Sequence, residues 1–510
     1  MSPIRAIIWA VAGLLGWELA MRLYPQAVLI SSPLGIARHI AENASLLARA
    51  TWETSTNAAW GFLWGNLAAV ILGSVIAVVP RSARALSALA LLVFCIPLIA
   101  SGPILRVLFG PGVGPQIALG ALAVYYTTLL AFLVGVRAVS QNWTDLMQIY
   151  GRGTVSTFLR IRARASLPYL FVGLQISAPA AFLGAMIGEF TGAERGLGVL
   201  TLRALRGLDT DATWALACLA ALIAMSAYAL LGWLGDRLVG YRPVLLLSAP
   251  STAAPRSIWI RLLELGLITG LVLVLWQVSM DGAGLNRFFA KRPGDVWAFL
   301  MDPQNRATIQ TALVETLAFA APGYIAGLAL GAGLAAALML APGLSRATMP
   351  VAVALRAVPI ITTAPLLVLA FGRGLVGTMV VVAVMIFFPT FVACQQGLRQ
   401  TPGQIVDLFK SYEAGRWHLL RAAQLPAMLP AFFASARMAV PAALLAVTTV
   451  EWLATGKGIG LLMAMTASTS DYNMLWSCVA VLAVVAVTAY GAVAAVERSV
   501  LRIYASEQVT

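Results

Sequence analysis

The chain reads as an all-α polytopic membrane protein: about twelve transmembrane helices arranged as two parallel six-helix repeats. Three observations predict this. Of its 510 residues, 60% are hydrophobic, and the mean hydropathy is +0.88, whereas a soluble domain is about half apolar at most. Apolar runs of about 20 residues, enough to cross about 30 Å of hydrocarbon, recur along it. The second half also repeats the first at a fixed offset of 262 residues. A β-barrel would show short alternating segments instead.

The first repeat places spans near 6–24, 58–79, 85–108, 115–136, 169–189 and 213–235. The second places them near 257–279, 316–341, 347–371, 376–396, 431–450 and 474–496. The opening run has the length of a secretory signal. No clear small-x-small cleavage site follows it, and it has a counterpart at 257–279, so it is expected to be the first membrane helix. Domain boundaries follow: repeats at 1–240 and 257–510, joined by a Pro/Ser/Ala-rich linker at 241–256.

The duplication needs no gap from residue 53 to 228. Gly61 and Gly65 return as Gly323 and Gly327, Pro97 and Pro103 as Pro359 and Pro365, and Glu189 as Glu451. Asp145 and Tyr150 return as Asp407 and Tyr412. Six spans per repeat is an even number, so both halves insert the same way up about an axis along the membrane normal. A modest bias of Lys and Arg puts both termini, the linker and the loops at 145–168 and 407–430 in the cytoplasm.

Composition excludes several functions. The net charge of +14 fits cytoplasmic loops, and no stacking motif or zinc-finger spacing points to nucleic acid. Cys95, Cys218, Cys394 and Cys478 fall within apolar runs, and His39 and His418 are far apart, so neither disulfides nor a metal site are expected. The nearest approach to a phosphate-binding loop, TGKGIG at 455–460, lacks the upstream Gly and the Ser or Thr after Lys. No nucleophile elbow or HExxH occurs. The chain is expected to have no cofactor and no enzyme activity of its own.

The polar interruption is the feature to explain. DLMQIYGRGTVSTFLRIRARASLP at 145–168 and DLFKSYEAGRWHLLRAAQLPAMLP at 407–430 keep Asp, Tyr and Leu-Pro in register. Gly151 and Gly153 in the first predict a short helix, a turn and another helix, and Gly415 is a candidate docking residue of the second. A loop that only fixed topology would need charge, not register. Duplicated register suggests docking of one kind of partner twice.

These loops resemble those of permease subunits of type I ABC importers, where a Glu-Ala-Ala, Gly and Leu-Pro pattern forms a coupling helix that docks on the ATP-binding subunit. Asp145 and Asp407 match the leading Glu, and Gly151 the Gly. Leu425-Pro426 and Leu429-Pro430 match the doubled Leu-Pro, and Leu167-Pro168 its second copy. The proline-rich runs PLIASGPILRVLFGPG and PIITTAPLLVLAFGRG, with GEFTGAERGLG and VEWLATGKGIG, resemble the nitrate, sulfonate, taurine and thiamine-precursor branch. Two departures occur: Glu413 stands in place of the Gly, and Arg164 in place of the first Pro.

The resemblance implies a fused permease in a bacterial-type inner membrane. Its partners would be two ATP-binding subunits, an extracytoplasmic solute-binding protein and membrane lipid. The cargo would be a nitrate-, sulfonate- or taurine-like anion or a thiamine-precursor-like compound. Pro97, Pro103, Pro359 and Pro365 mark the third and ninth spans as pathway helices. Glu189 and Glu451 either form a gate or binding-protein contact or tie helix ends. Arg356, with Phe94 as its counterpart, either faces an anionic solute or snorkels. The rival is an ion-coupled secondary transporter with two six-helix halves, which explains the duplication but not the loops.

Overall fold

The computed structural model describes residues 3–23, 30–240, 258–341, 364, 367–368, 370–372 and 374–504. Among these there is no strand. In the first repeat the helices are α1 (Pro3–Leu23), α2 (Pro33–Glu42), α3 (Ala44–Val78), α4 (Ala83–Cys95), α5 (Leu98–Phe109), α6 (Gly114–Arg137) and α7 (Gln141–Ile149). They continue as α8 (Thr154–Phe190), α9 (Leu197–Arg206) and α10 (Thr210–Val239). The second repeat supplies α11 (Ile258–Gly282), α12 (Pro293–Met301), α13 (Pro303–Leu340), α14 (Leu375–Arg399) and α15 (Gly403–Ser411). It ends with α16 (Arg416–Thr455), α17 (Gly458–Thr469) and α18 (Tyr472–Tyr504).

Eight of these are long and apolar enough to cross a membrane: α3, α6, α8, α10, α13, α14, α16 and α18. α1 and α11 stand where the first and seventh spans are expected. Most of the expected ninth span lies outside the described residues, and with it Arg356, Pro359 and Pro365.

The third span departs from expectation. It is two helices, α4 and α5, bent by 95°. Pro97 is the reason. It forces Ile96 out of the helical region, to φ −72° and ψ 121°, because its ring crowds the preceding residue. The break lets α5 turn under the second repeat. Ala100 and Ile104 join Ile459, Met463 and Leu475 in one apolar cluster, and Ile99 and Phe190 meet Leu445 and Trp452 in another. The bent pair thus supplies much of the packing between halves.

Within each half, small residues set the helix spacing. A Cβ on Gly65 would lie 2.5 Å from the Ala121 carbonyl oxygen, and one on Gly327 2.7 Å from that of Ala383. These close approaches join α3 to α6 and α13 to α14, as the small-xxx-small spacing predicts. Four short helices, α2, α9, α12 and α17, were not foreseen from hydropathy, since each is too short to span.

Gly65→Val is expected to lower the melting temperature of the detergent-purified chain by several degrees, the effect of overpacking by about 1–3 kcal/mol. Gly333→Val, where a Cβ meets nothing within 4 Å, is the control. Equal melting of the two variants, followed by tryptophan fluorescence, would refute the close-packing account.

Candidate functional site

The two loops fold alike. α7 and α15 are nine residues each. Each closes with a left-handed residue, Gly151 at φ 63° and Glu413 at φ 51°. Around it the bonds match: the Arg152 amide donates to the Met147 carbonyl, and the Ala414 amide to the Phe409 carbonyl. Gly tolerates this conformation freely. For Glu413 it costs about 1–2 kcal/mol, so the departure from the motif changes strain and charge, not backbone path. Gly153 and Gly415 are extended residues that open the next helix.

The loops present apolar knobs. Tyr150 is 72% exposed and Tyr412 79%, with Ile149, Trp143, Leu408 and Trp417 also exposed. Asp145 and Asp407 are exposed, and Asp407 pairs with Lys410 at 3.0 Å. Behind the knobs each long helix takes one π-turn, at Phe158–Arg162 and Leu420–Gln424. The turns occur at equivalent positions although Pro426 has Arg164 as its counterpart, so that proline is not what makes them. They bury Phe158 against Phe132 and Val136, and Leu420 against Phe391 and Leu398. Leu167-Pro168, Leu425-Pro426 and Leu429-Pro430 lie beyond, inside α8 and α16. They belong to the stem of each loop, not its tip. Phe158 and Leu420 escaped the sequence analysis, since an aromatic paired with an aliphatic residue shows no repeat.

At the other end of α8 and α16 sit Glu189 and Glu451, 1% and 0% exposed. Thr54 donates its hydroxyl to Glu189 Oε1 at 2.7 Å and accepts the Leu197 amide at 2.8 Å. The Gly198 amide donates to Glu189 Oε2 at 2.6 Å. In the second half Thr316 donates to Glu451 Oε2 at 3.0 Å and accepts the Ile459 amide at 2.9 Å. The Gly460 amide donates to Glu451 Oε2 at 2.8 Å. Each Glu–Thr pair therefore bonds two of the otherwise unpaired amides that open α9 or α17, and in the second half Glu315 Oε2 accepts the Gly458 amide at 3.0 Å. The glycines make this possible. A Cβ on Gly196 would lie 2.2 Å from Glu189 Cδ, and one on Gly458 2.1 Å from Glu451 Oε1.

Next to these caps lies a cavity of about 1110 Å³. Both repeats line it at equivalent positions: Phe190 with Trp452, Leu205 with Ala467, Arg206 with Ser468. It therefore straddles the pseudo-two-fold axis. Pro103 and Arg106 of α5 also line it, while Pro97 sits at the bend above. α8, at 37 residues, spans about 55 Å. Its loop end and its cavity end thus lie on opposite sides of a bilayer. α16 also reaches the cavity, so both loops share the face opposite it. The repeats are parallel.

Comparison with known proteins agrees with this duplication. The family model described as binding-protein-dependent transport system inner membrane component matches twice, at residues 65–240 and 327–502. A probable ABC transporter permease protein of Haemophilus influenzae is 30% identical over 231 residues, 45% of this chain and 94% of that protein. A riboflavin transport system permease protein of Chloroflexus aurantiacus is 27% identical, over 46% of this chain and 88% of its own length. A formylaminopyrimidine transport permease protein of Halalkalibacterium halodurans is 26% identical, over 45% and 92%.

Gly196→Ala is expected to lower folded yield and melting temperature strongly, because its Cβ collides with the Glu189 carboxylate. Glu189→Ala should do so by losing buried hydrogen bonds, at about 1–3 kcal/mol. The double variant should be milder than the sum of the singles, since removing the carboxylate makes room for the methyl group. Additive losses in a melting series would contradict the packing described.

Proposed function

The chain belongs to the binding-protein-dependent transport system inner membrane component family, and from that premise we propose how this fused permease of an ABC importer works. Two ATP-binding subunits dock from the cytoplasm, one at 145–168 and one at 407–430. A solute-binding protein delivers a small organic solute to the opposite face, above the cavity. Docking movements pass through Phe158 and Leu420 into α8 and α16, and the halves rock about the shared cavity. The chain supplies the path, and its partner supplies ATP hydrolysis. It lies in a bacterial-type inner membrane with both termini cytoplasmic.

The observation that carries this reading is the pair of loops with the same backbone and the same exposed tyrosine. Such an apolar knob on a polar loop suits burial in a partner's groove. The relatives named for riboflavin and formylaminopyrimidine support ring-bearing cargo. We propose further that the two docking sites are unequal, because Glu413 brings strain and negative charge where Gly151 brings neither.

A tagged chain purified in mild detergent from its native membrane should bring down an ATP-binding subunit, identified by mass spectrometry. Tyr150→Ala with Tyr412→Ala should abolish the capture. A chain that transports solute in liposomes without any such subunit would favour the ion-coupled rival. Inequality of the sites is read from coupled ATPase activity: Gly151→Glu should lower it several-fold, and Glu413→Gly should leave it unchanged or raise it. Equal effects would refute inequality.

A further inference from the structure

The cavity between the halves is symmetric in position but not in chemistry. Arg206 of α9 and Ser468 of α17 are equivalents, and both line it. Arg106 of α5 lines it too, where its counterpart Val368 is fully buried with Val381 and Val450. The difference extends to the residue beneath. Arg106 lies over Gly192, where a Cβ would fall 2.3 Å from its Nη1 atom. The counterpart of Gly192 is Ala454, which packs at the edge of the Val368 cluster. A glycine under an arginine in one half thus answers to an alanine beside a valine in the other.

Both guanidinium groups are on exposed residues. Among the described residues neither has a carboxylate within salt-bridge distance, and no Asp or Glu lines the cavity. Two unpaired cations facing one cavity repel each other and raise its potential, and an anion between them relieves both effects. The second half contributes Trp452 and Tyr472 to the same space. Their ring faces suit flat, apolar groups. The volume, about 1110 Å³, lies just above the range of about 300–1,000 Å³ that small-molecule sites occupy.

We infer that this cavity is a subsite for a flat organic anion: Arg106 and Arg206 of the first half take the acidic group, and Trp452 and Tyr472 of the second half take the ring. This rests on the reading of the chain as an import permease whose path runs between its halves. Gly192 is a positioning residue, since it leaves the room in which Arg106 lies.

The test uses the full chain in nanodiscs, carrying Ser468→Cys as a reporter and Cys218→Ser to remove the one exposed native thiol. The reporter is labelled with two methanethiosulfonate reagents of similar size, the anionic sulfonatoethyl and the cationic trimethylammonioethyl compound. The ratio of anionic to cationic rate should fall at least tenfold with Arg106→Gln and Arg206→Gln together. Arg106→Lys with Arg206→Lys, which keeps the charge, should hold the ratio, and Gly192→Ala should lower it partway. Benzenesulfonate should slow labelling and benzylammonium should not, and Trp452→Ala should weaken that protection. A ratio unmoved by the Gln variants, or equal protection by the two probes, would overturn the inference. Capture of the ATP-binding subunit by the same variants tests the importer reading separately, because these residues lie at the far end of α8 and α16 from the loops.

Discussion

Backbone amides and carbonyls cannot be left unpaired in hydrocarbon, and the architecture turns on how this chain breaks helices despite that rule. The answer is a buried carboxylate and hydroxyl used twice. Glu189 with Thr54, and Glu451 with Thr316, bond the opening amides of α9 and α17. With those amides satisfied, a span can stop and a short helix can start beside it. The short helices in turn form walls of the cavity. Without the caps the chain would have to continue as an uninterrupted helix, and there would be little space between the halves.

The long helices connect this region to the loops. α8 and α16 begin at the turn after each loop and carry the capping glutamate near their other end. Each therefore carries, on a single rod, the proposed docking end and the cavity end. The π-turns near the loops anchor the rods by burying Phe158 and Leu420 in their own half. A displacement at the loop then moves packed core, since close-packed interiors transmit strain rather than absorb it.

Much of this was legible in the sequence. The fold class and the parallel repeats follow from apolar run length and from a constant offset, both carried by many residues. Glu189 and Glu451 stood out because they were polar, repeated and at span ends, but their partners could not be read. Thr54 is 135 residues away from Glu189, and a threonine in a helix carries no signature of a capping role. The break at Pro97 was visible as a proline, yet a proline alone does not tell a kink from a bend of 95°. The cavity arginines were passed over for the opposite reason. Arg106 and Arg206 sit near span ends, where positive charge is commonplace, and only the folded chain shows them turned toward one space.

The pairing of Gly192 with Arg106, against Ala454 with Val368, is open to a chain that holds both repeats and closed to an assembly of two identical ones. Two identical subunits offer a guest two placements of equal energy, related by the two-fold axis, and whatever improves one improves the other. Among the described residues the cations that line this cavity all come from the first half, so the two placements differ in energy. Head and tail are then distinguishable at this cavity, and each half is free to mutate without copying its change across the axis. Fusion in this chain gives the pore a polarity across the membrane plane, in addition to the one it has through it.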